Sequence, residues 1–293
     1  MAEILLSLTI IGVVAAITLP SLTGNINERT WNTQRKALYA RMSQAIALMP
    51  ALNGYASTET FVTAGLSKVL KINNICDHEH LSDCGISSTF TNLAGSTISP
   101  FPSSIGELNS TLLLSNAAAE LGSAHSMSDT MAAAFETQNG ESIVVFYNPN
   151  CTASSNMSSA YYTQNIMCAN FIYDLNGNKG PNTVGKDIGF ISALYASDSN
   201  VVAPYPKVGD TLTGVTQTTG GAACNNLDNE YRLPNKDELA SIFYNKRLIG
   251  ISSSGYWSSS VVSAEKAWRQ SMDAGYVVPR AKSEPYNVRC VKR

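Results

Sequence analysis

The chain has 293 residues with a formal net charge of −2, so it carries no bulk positive charge for nucleic acid or an anionic membrane surface. Charged residues make up 14%, against roughly 25% in an average soluble protein, while 44% are hydrophobic and 8% aromatic. That excludes a disordered chain and describes a weakly charged, polar-surfaced protein with a sizeable core, of a length that suggests two domains or one domain with appendages.

The N-terminus carries the strongest signal. No charged residue occurs from Ile4 to Asn27, and residues 4–22 read ILLSLTIIGVVAAITLPSL. About 20 apolar residues suffice to cross a bilayer as a helix. A cleaved signal peptide needs a basic start, but the residue before this run is Glu3 and no Lys or Arg precedes it. Residues 27–49 then place Trp31, Leu38, Met42, Ala45, Ile46 and Met49 at helical spacing, an apolar stripe that ends at Pro50 and Asn53-Gly54. The pattern predicts one helix of about 45 residues, membrane-compatible in its first half and packed on a head in its second. Pro20 and Gly24 mark its weak middle.

The segment AEILLSLTIIGVVAAITLPSL resembles the N-terminal methylation segment of type IV pilins and type II secretion pseudopilins. Glu3 and Pro20 keep the 17-residue separation that this family has between its N-terminal Glu and a Pro. The basic leader, the Gly cleavage point and the usual Phe are not present, which implies a mature chain extending about two residues beyond Met1. The resemblance covers roughly the first 50 residues. It implies a protein held in the inner membrane, processed by a prepilin peptidase, N-methylated and stacked by the assembly machinery into a helical filament of identical subunits outside the cell. Glu3 then neutralises a neighbour's N-terminal amine in an apolar core, where a lone charge is prohibitive and a paired one tolerable. Gly12, with Ala15 and Ala16, supplies close van der Waals packing between helices.

Six cysteines, Cys76, Cys84, Cys151, Cys168, Cys224 and Cys290, with no C-x-x-C, read as disulfides in an oxidising compartment. Fifteen pairings are open. Order along the chain suggests Cys76–Cys84, Cys151–Cys168 and Cys224–Cys290, against buried free thiols as the competing reading. His78, Glu79 and His80 lie inside the first pair, but no H-E-x-x-H, G-x-S-x-G or phosphate loop occurs, and no catalytic role is expected.

Residues 51–205 are rich in Ser, Thr and Asn. Strands are predicted at 141–148 and 170–174, with short helices at 117–121 and 128–135. Between them, DLNGNKGPNTVGKD (174–187) crowds Asp174, Asn176, Asn178, Asn182 and Asp187 into a glycine-rich loop, the hard oxygen ligands calcium prefers. It departs from the EF-hand pattern at Lys179 and Gly185. The segment is similar to loops of pilin-like proteins, and pseudopilins hold calcium near such a loop. The competing reading is a tight Asn-Gly turn. That reading is preferred, because only two of the ligands are charged.

After APYP (203–206), YRLPNKDELASIF predicts a strand end and a helix, with Asn235 as N-cap and Glu238 completing a capping box. The ordered motifs RLP-x-x-x-EL, YWSS, AW, D-x-G and VRCV resemble the C-terminal domain family of collagen-like bacterial adhesins, whose fold is similar to C-type lectins. Trp257, Trp268 and Leu233 are expected in its core. Arg269, Arg280, Lys282 and Arg289 are readable as a patch for acidic glycans, but solvated surface charge is the preferred reading.

The expectation is therefore an α+β chain. A polymerisation and transmembrane helix occupies 1–52, a pilin-type head 53–207 and a lectin-like domain 208–293. Its expected function is a structural filament subunit with an adhesive outer domain. The alternative is a low-copy minor pilin adhesin or a type II secretion pseudopilin.

Overall fold

The computed structural model describes residues 29–49, 54–77, 80–87, 89–92, 95–98, 132–147, 166–196, 199–204, 208–227, 231–246, 248–273 and 275–292. The chain is α+β. It divides into two units, residues 1–40 and 41–293, and the division falls within the first described helix, α1 (residues 29–48). In the first unit the described residues are helical, with Arg35 donating to Asn32 one turn earlier at 3.0 Å. Among the described residues no helix is long and apolar enough to cross a membrane. The apolar run 4–22, with Glu3, Gly12, Pro20 and Gly24, lies outside them.

In the second unit a short helical stretch, α2 (Thr58–Thr60), continues through residues 61–68. Strands β1 (Ile72–Cys76), β2 (Phe90–Thr91), β3 (Thr97–Ile98), β4 (Ala132–Thr137), β5 (Ser142–Tyr147), β6 (Ile166–Asp174), β7 (Ile188–Ala196) and β8 (Ser199–Pro204) follow. Six of them form an antiparallel sheet in the order β1-β4-β5-β6-β7-β8, and β2 pairs with β3 as a separate ribbon.

Both faces of the central strands are covered, which is why β5 reads SIVVFY with every residue buried instead of alternating. On one face Tyr147 stacks on Phe61 at 4.5 Å, and Phe171 lies 6.2 Å from the same ring. Met42, Ala45, Ile46 and Met49, four of the predicted stripe residues, are buried, and the Arg41 guanidinium pairs with the buried Glu141. The other face carries Val144, Phe146, Ile172 and Phe190 into a core completed by a helix from beyond residue 208.

The later elements are β9 (Val208–Val215), α3 (Gln217–Leu227), β10 (Tyr231–Arg232), α4 (Lys236–Tyr244), β11 (Gly255–Val261), β12 (Lys266–Ser271), β13 (Val277–Ala281) and β14 (Tyr286–Lys292). The second sheet runs β10-β14-β11-β12-β13, with β9 along the other edge of β14. The capping box forms as predicted: Asn235 accepts from the Glu238 amide and Glu238 accepts from the Asn235 amide, both at 2.8 Å, and Arg232 holds the same carboxylate in two bonds of 2.7 Å. Leu239, Ile242 and Phe243 of α4 pack into the core beneath the first sheet. Trp257 and Leu233 share a second core with Cys224 and Cys290, while Trp268 is half-buried under the Lys236 ammonium.

Two disulfides are seen in full: Cys76–Cys84, and Cys224–Cys290, which joins α3 to β14. Cys168 is also disulfide-bonded, and Cys151 of the expected third pair lies outside the described residues.

One expected element is corrected. The predicted helix at 128–135 is strand from Ala132 onward, because Ala132–Phe135 pair residue for residue with Ile143–Phe146 and sheet burial overrides alanine's helix preference. The expected helix at 117–121 lies outside the described residues.

A polar network joins α4 to the first sheet. Asn170 on β6 and Asn245 after α4 exchange amide hydrogen bonds of 2.9 and 3.1 Å. The Ser192 hydroxyl donates to Asn170 at 2.7 Å and meets Ser241 at 2.8 Å, and all four residues are buried. Removing one member strands the others without water. Asn245→Ala is expected to lower unfolding free energy by about 2 kcal/mol in urea titrations. A loss below about 0.5 kcal/mol, typical of a neutral surface change, would show that apolar packing alone docks α4.

Candidate metal centre

The loop between β6 and β7 begins and ends on a carboxylate. Asp174 closes β6 and Asp187 precedes Ile188, the first residue of β7, so hairpin pairing brings the two side chains to one end of the sheet. Both are buried. The loop folds around them with local hydrogen bonds. The Asn176 amide donates to Asp174 Oδ1 at 3.1 Å, an Asx-turn, and Asn176 Nδ2 donates to the Gly180 carbonyl at 2.6 Å. The Asn182 and Thr183 amides each donate to one oxygen of Asp187 at 2.8 Å. Asn182 itself sits at φ 51°, a left-handed conformation that asparagine tolerates better than most residues. Gly177 is needed for close approach: a methyl there would stand 3.3 Å from Ser142 Oγ and 3.4 Å from the Gly85 carbonyl.

Three oxygens in this loop are buried without a hydrogen-bond partner: Asp174 Oδ2, Asn176 Oδ1 and Asn182 Oδ1. Native proteins rarely leave such atoms unsatisfied, and each costs about 1–3 kcal/mol if nothing binds it. Burial raises the Asp174 carboxyl pKa to about 7, against the Asn176 amide bond that lowers it and with the Asp187 charge raising it further. Two buried carboxylates beside unsatisfied amide oxygens fit a hard cation. The all-oxygen donor set with neutral members suits calcium, which accepts irregular geometry, better than magnesium or a thiophilic metal. Among the described residues no three His, Cys, Asp or Glu side chains converge, so this set depends on its asparagines. Asn178 lies in the short turn Gly177–Lys179, and Lys179, one of the residues that break the EF-hand pattern, is exposed. The tight-turn reading is accurate for the backbone, but it leaves the buried oxygens unexplained.

Of the four basic residues named in the C-terminal region, Arg269 and Arg289 are engaged within the fold, while Arg280 is exposed. The Arg269 guanidinium lies over the rings of Tyr276 and Tyr286, at 5.7 and 5.0 Å, and Arg289 donates to Thr211 at 2.8 Å. The Tyr286 hydroxyl and Ala281 amide, with Arg280 and Arg269 nearby, hold the Glu284 carboxyl below its ordinary value.

Asp174 makes the metal-free head pH-sensitive. Its pKa rises from 3.8 to about 7 on folding, so the folded chain keeps a proton the unfolded chain releases. That stabilisation is complete below pH 3.8 and is lost as pH rises through about 7. In chelator, stability is expected to fall between about pH 4 and pH 7, within a ceiling on the order of 4 kcal/mol, and to level off above that. Asp174→Asn should flatten that slope in urea titrations; an unchanged slope would assign it to another group.

No protein-family model and no curated protein matches this chain.

Proposed function

We propose that the chain is a subunit of an extracellular type IV pilus-like filament, assembled through its apolar N-terminal segment and carrying a calcium-braced head. The observation that carries the reading is the single acidic residue, Glu3, at the edge of an uncharged run with Pro20 17 residues on. Supporting it, a helix follows at 29–48, the residues from Met42 to Met49 turn an apolar stripe into a core, and an antiparallel sheet and two disulfides suit a domain displayed in an oxidising environment. The second sheet, with α3, α4 and the Cys224–Cys290 bond, is consistent with a lectin-like adhesive region. Because Leu239, Ile242 and Phe243 of α4 belong to the core of the first sheet, adhesion is to be tested by surface substitutions and not by deleting 208–293.

Glu3→Ala is expected to abolish or strongly slow polymerisation while the head stays folded, since it leaves a neighbour's amine unpaired in an apolar core. Filament yield from sheared cells measures it, and a normal yield removes the assembly role. The abundance of the chain in those filaments separates a major subunit from a low-copy minor pilin or a secretion pseudopilin.

Calcium, when bound, is held by Asp174, Asn176, Asn182 and Asp187 and neutralises the two buried carboxylates. Titration of chelator-stripped protein with calcium chloride is expected to give one site. At a hundredfold excess over Kd the head gains about 2.7 kcal/mol. Asp187→Ala should abolish binding; retained binding places the ion elsewhere.

A further inference from the structure

We infer that cation occupancy of the 174–187 loop latches the β2–β3 ribbon, so that calcium sets the local stability of a segment that supplies none of its ligands. This rests on the calcium reading above.

β2 and β3 are two residues each and pair with one another, and Phe90 reaches into the main core. A pair of such short strands is marginal without further support. Thr91 provides that support, and it does so entirely through the loop. Its amide donates to the Asn182 carbonyl and its carbonyl accepts from the Val184 amide, both at 2.9 Å, while its hydroxyl meets Thr183 Oγ1 at 2.9 Å.

One of the residues that grip Thr91, Asn182, belongs to the proposed ligand set, and a second, Thr183, is fixed by another member, Asp187. Asn182 offers its side-chain oxygen to the site and its backbone carbonyl to Thr91, and the Asp187 carboxylate fixes the Asn182 and Thr183 amides. Without a cation, Asp174 and Asp187 lie buried at the base of this loop and three oxygens stay unsatisfied. The loop is then the least stable part of its surroundings, and the ribbon can release from it while β4–β7, buried on both faces, stays intact.

Hydrogen exchange measured by mass spectrometry tests this on the full chain, in calcium and in chelator, with calorimetric titration in parallel. Chelation is expected to raise exchange at least tenfold in peptides covering residues 89–92 and 182–186, with little change across 142–147. Coupling is reciprocal, so Thr91→Pro, which removes the amide donor, should weaken calcium binding about tenfold. The milder Thr91→Val, which keeps the backbone bonds, should weaken it less. Calcium binding with unchanged exchange at 89–92, or equal loss of protection across 142–147, overturns the latch and leaves the calcium site standing. Wild-type affinity in Thr91→Pro with 142–147 still protected does the same. Failure to bind calcium at all overturns the site and the latch together.

Discussion

The burial of β5, β6 and β7 on both faces is the constraint from which the rest of the second unit hangs. Phe61 and the turn around it close one side, and α4 closes the other. A sheet wrapped in this way has no solvent face on which to leave polar side chains, so Asn170 and Ser192 must find partners inside. They find them on α4 and just beyond it, at Ser241 and Asn245. Amide pairs are directional where apolar contact is not, and this one fixes the seat of the helix along the sheet.

The same rigidity explains where chemistry can sit. Strands held on both faces leave only their ends free to vary, and the β6–β7 end gathers Asp174 and Asp187. The sheet supplies a fixed distance between the strand ends and the loop supplies the asparagines. The two carboxylates are brought together by hairpin register, and their mutual repulsion is a consequence of a pairing that the core, several residues away, already determines. An anchored hairpin end is thus a place where charge is tolerated because the backbone cannot relax away from it.

What was legible from the residues follows how local each signal is. The capping box at Asn235 and Glu238, the apolar run of β5 and the stripe Met42–Met49 each depend on neighbours within a few positions, and each appears where expected. Two of the disulfides were legible from order along the chain. The donor types of the 174–187 loop could be read, but which oxygens lack partners depends on burial, which spacing does not reveal. Helix α3 was missed because Gly220-Gly221 argues against a helix, by about 1 kcal/mol per glycine. The structure shows why glycine stands there: a methyl on Gly220 would lie 2.5 Å from Val288. Ala132–Phe135 misled in the opposite direction, and the Asn170–Asn245 pair, 75 residues apart, left no trace in local pattern.

Strand β14 has a consequence for synthesis. It carries β9 along one edge and β10 and β11 along the other, yet it comes after all of them in the chain. While the polypeptide is being made, these strands have no central partner until residues 286–292 emerge, and Cys224 waits as a free thiol for Cys290. The second sheet therefore closes after translation of this region and not during it. In that interval its unpaired edges are open to chaperones, or to the same edges on another nascent chain.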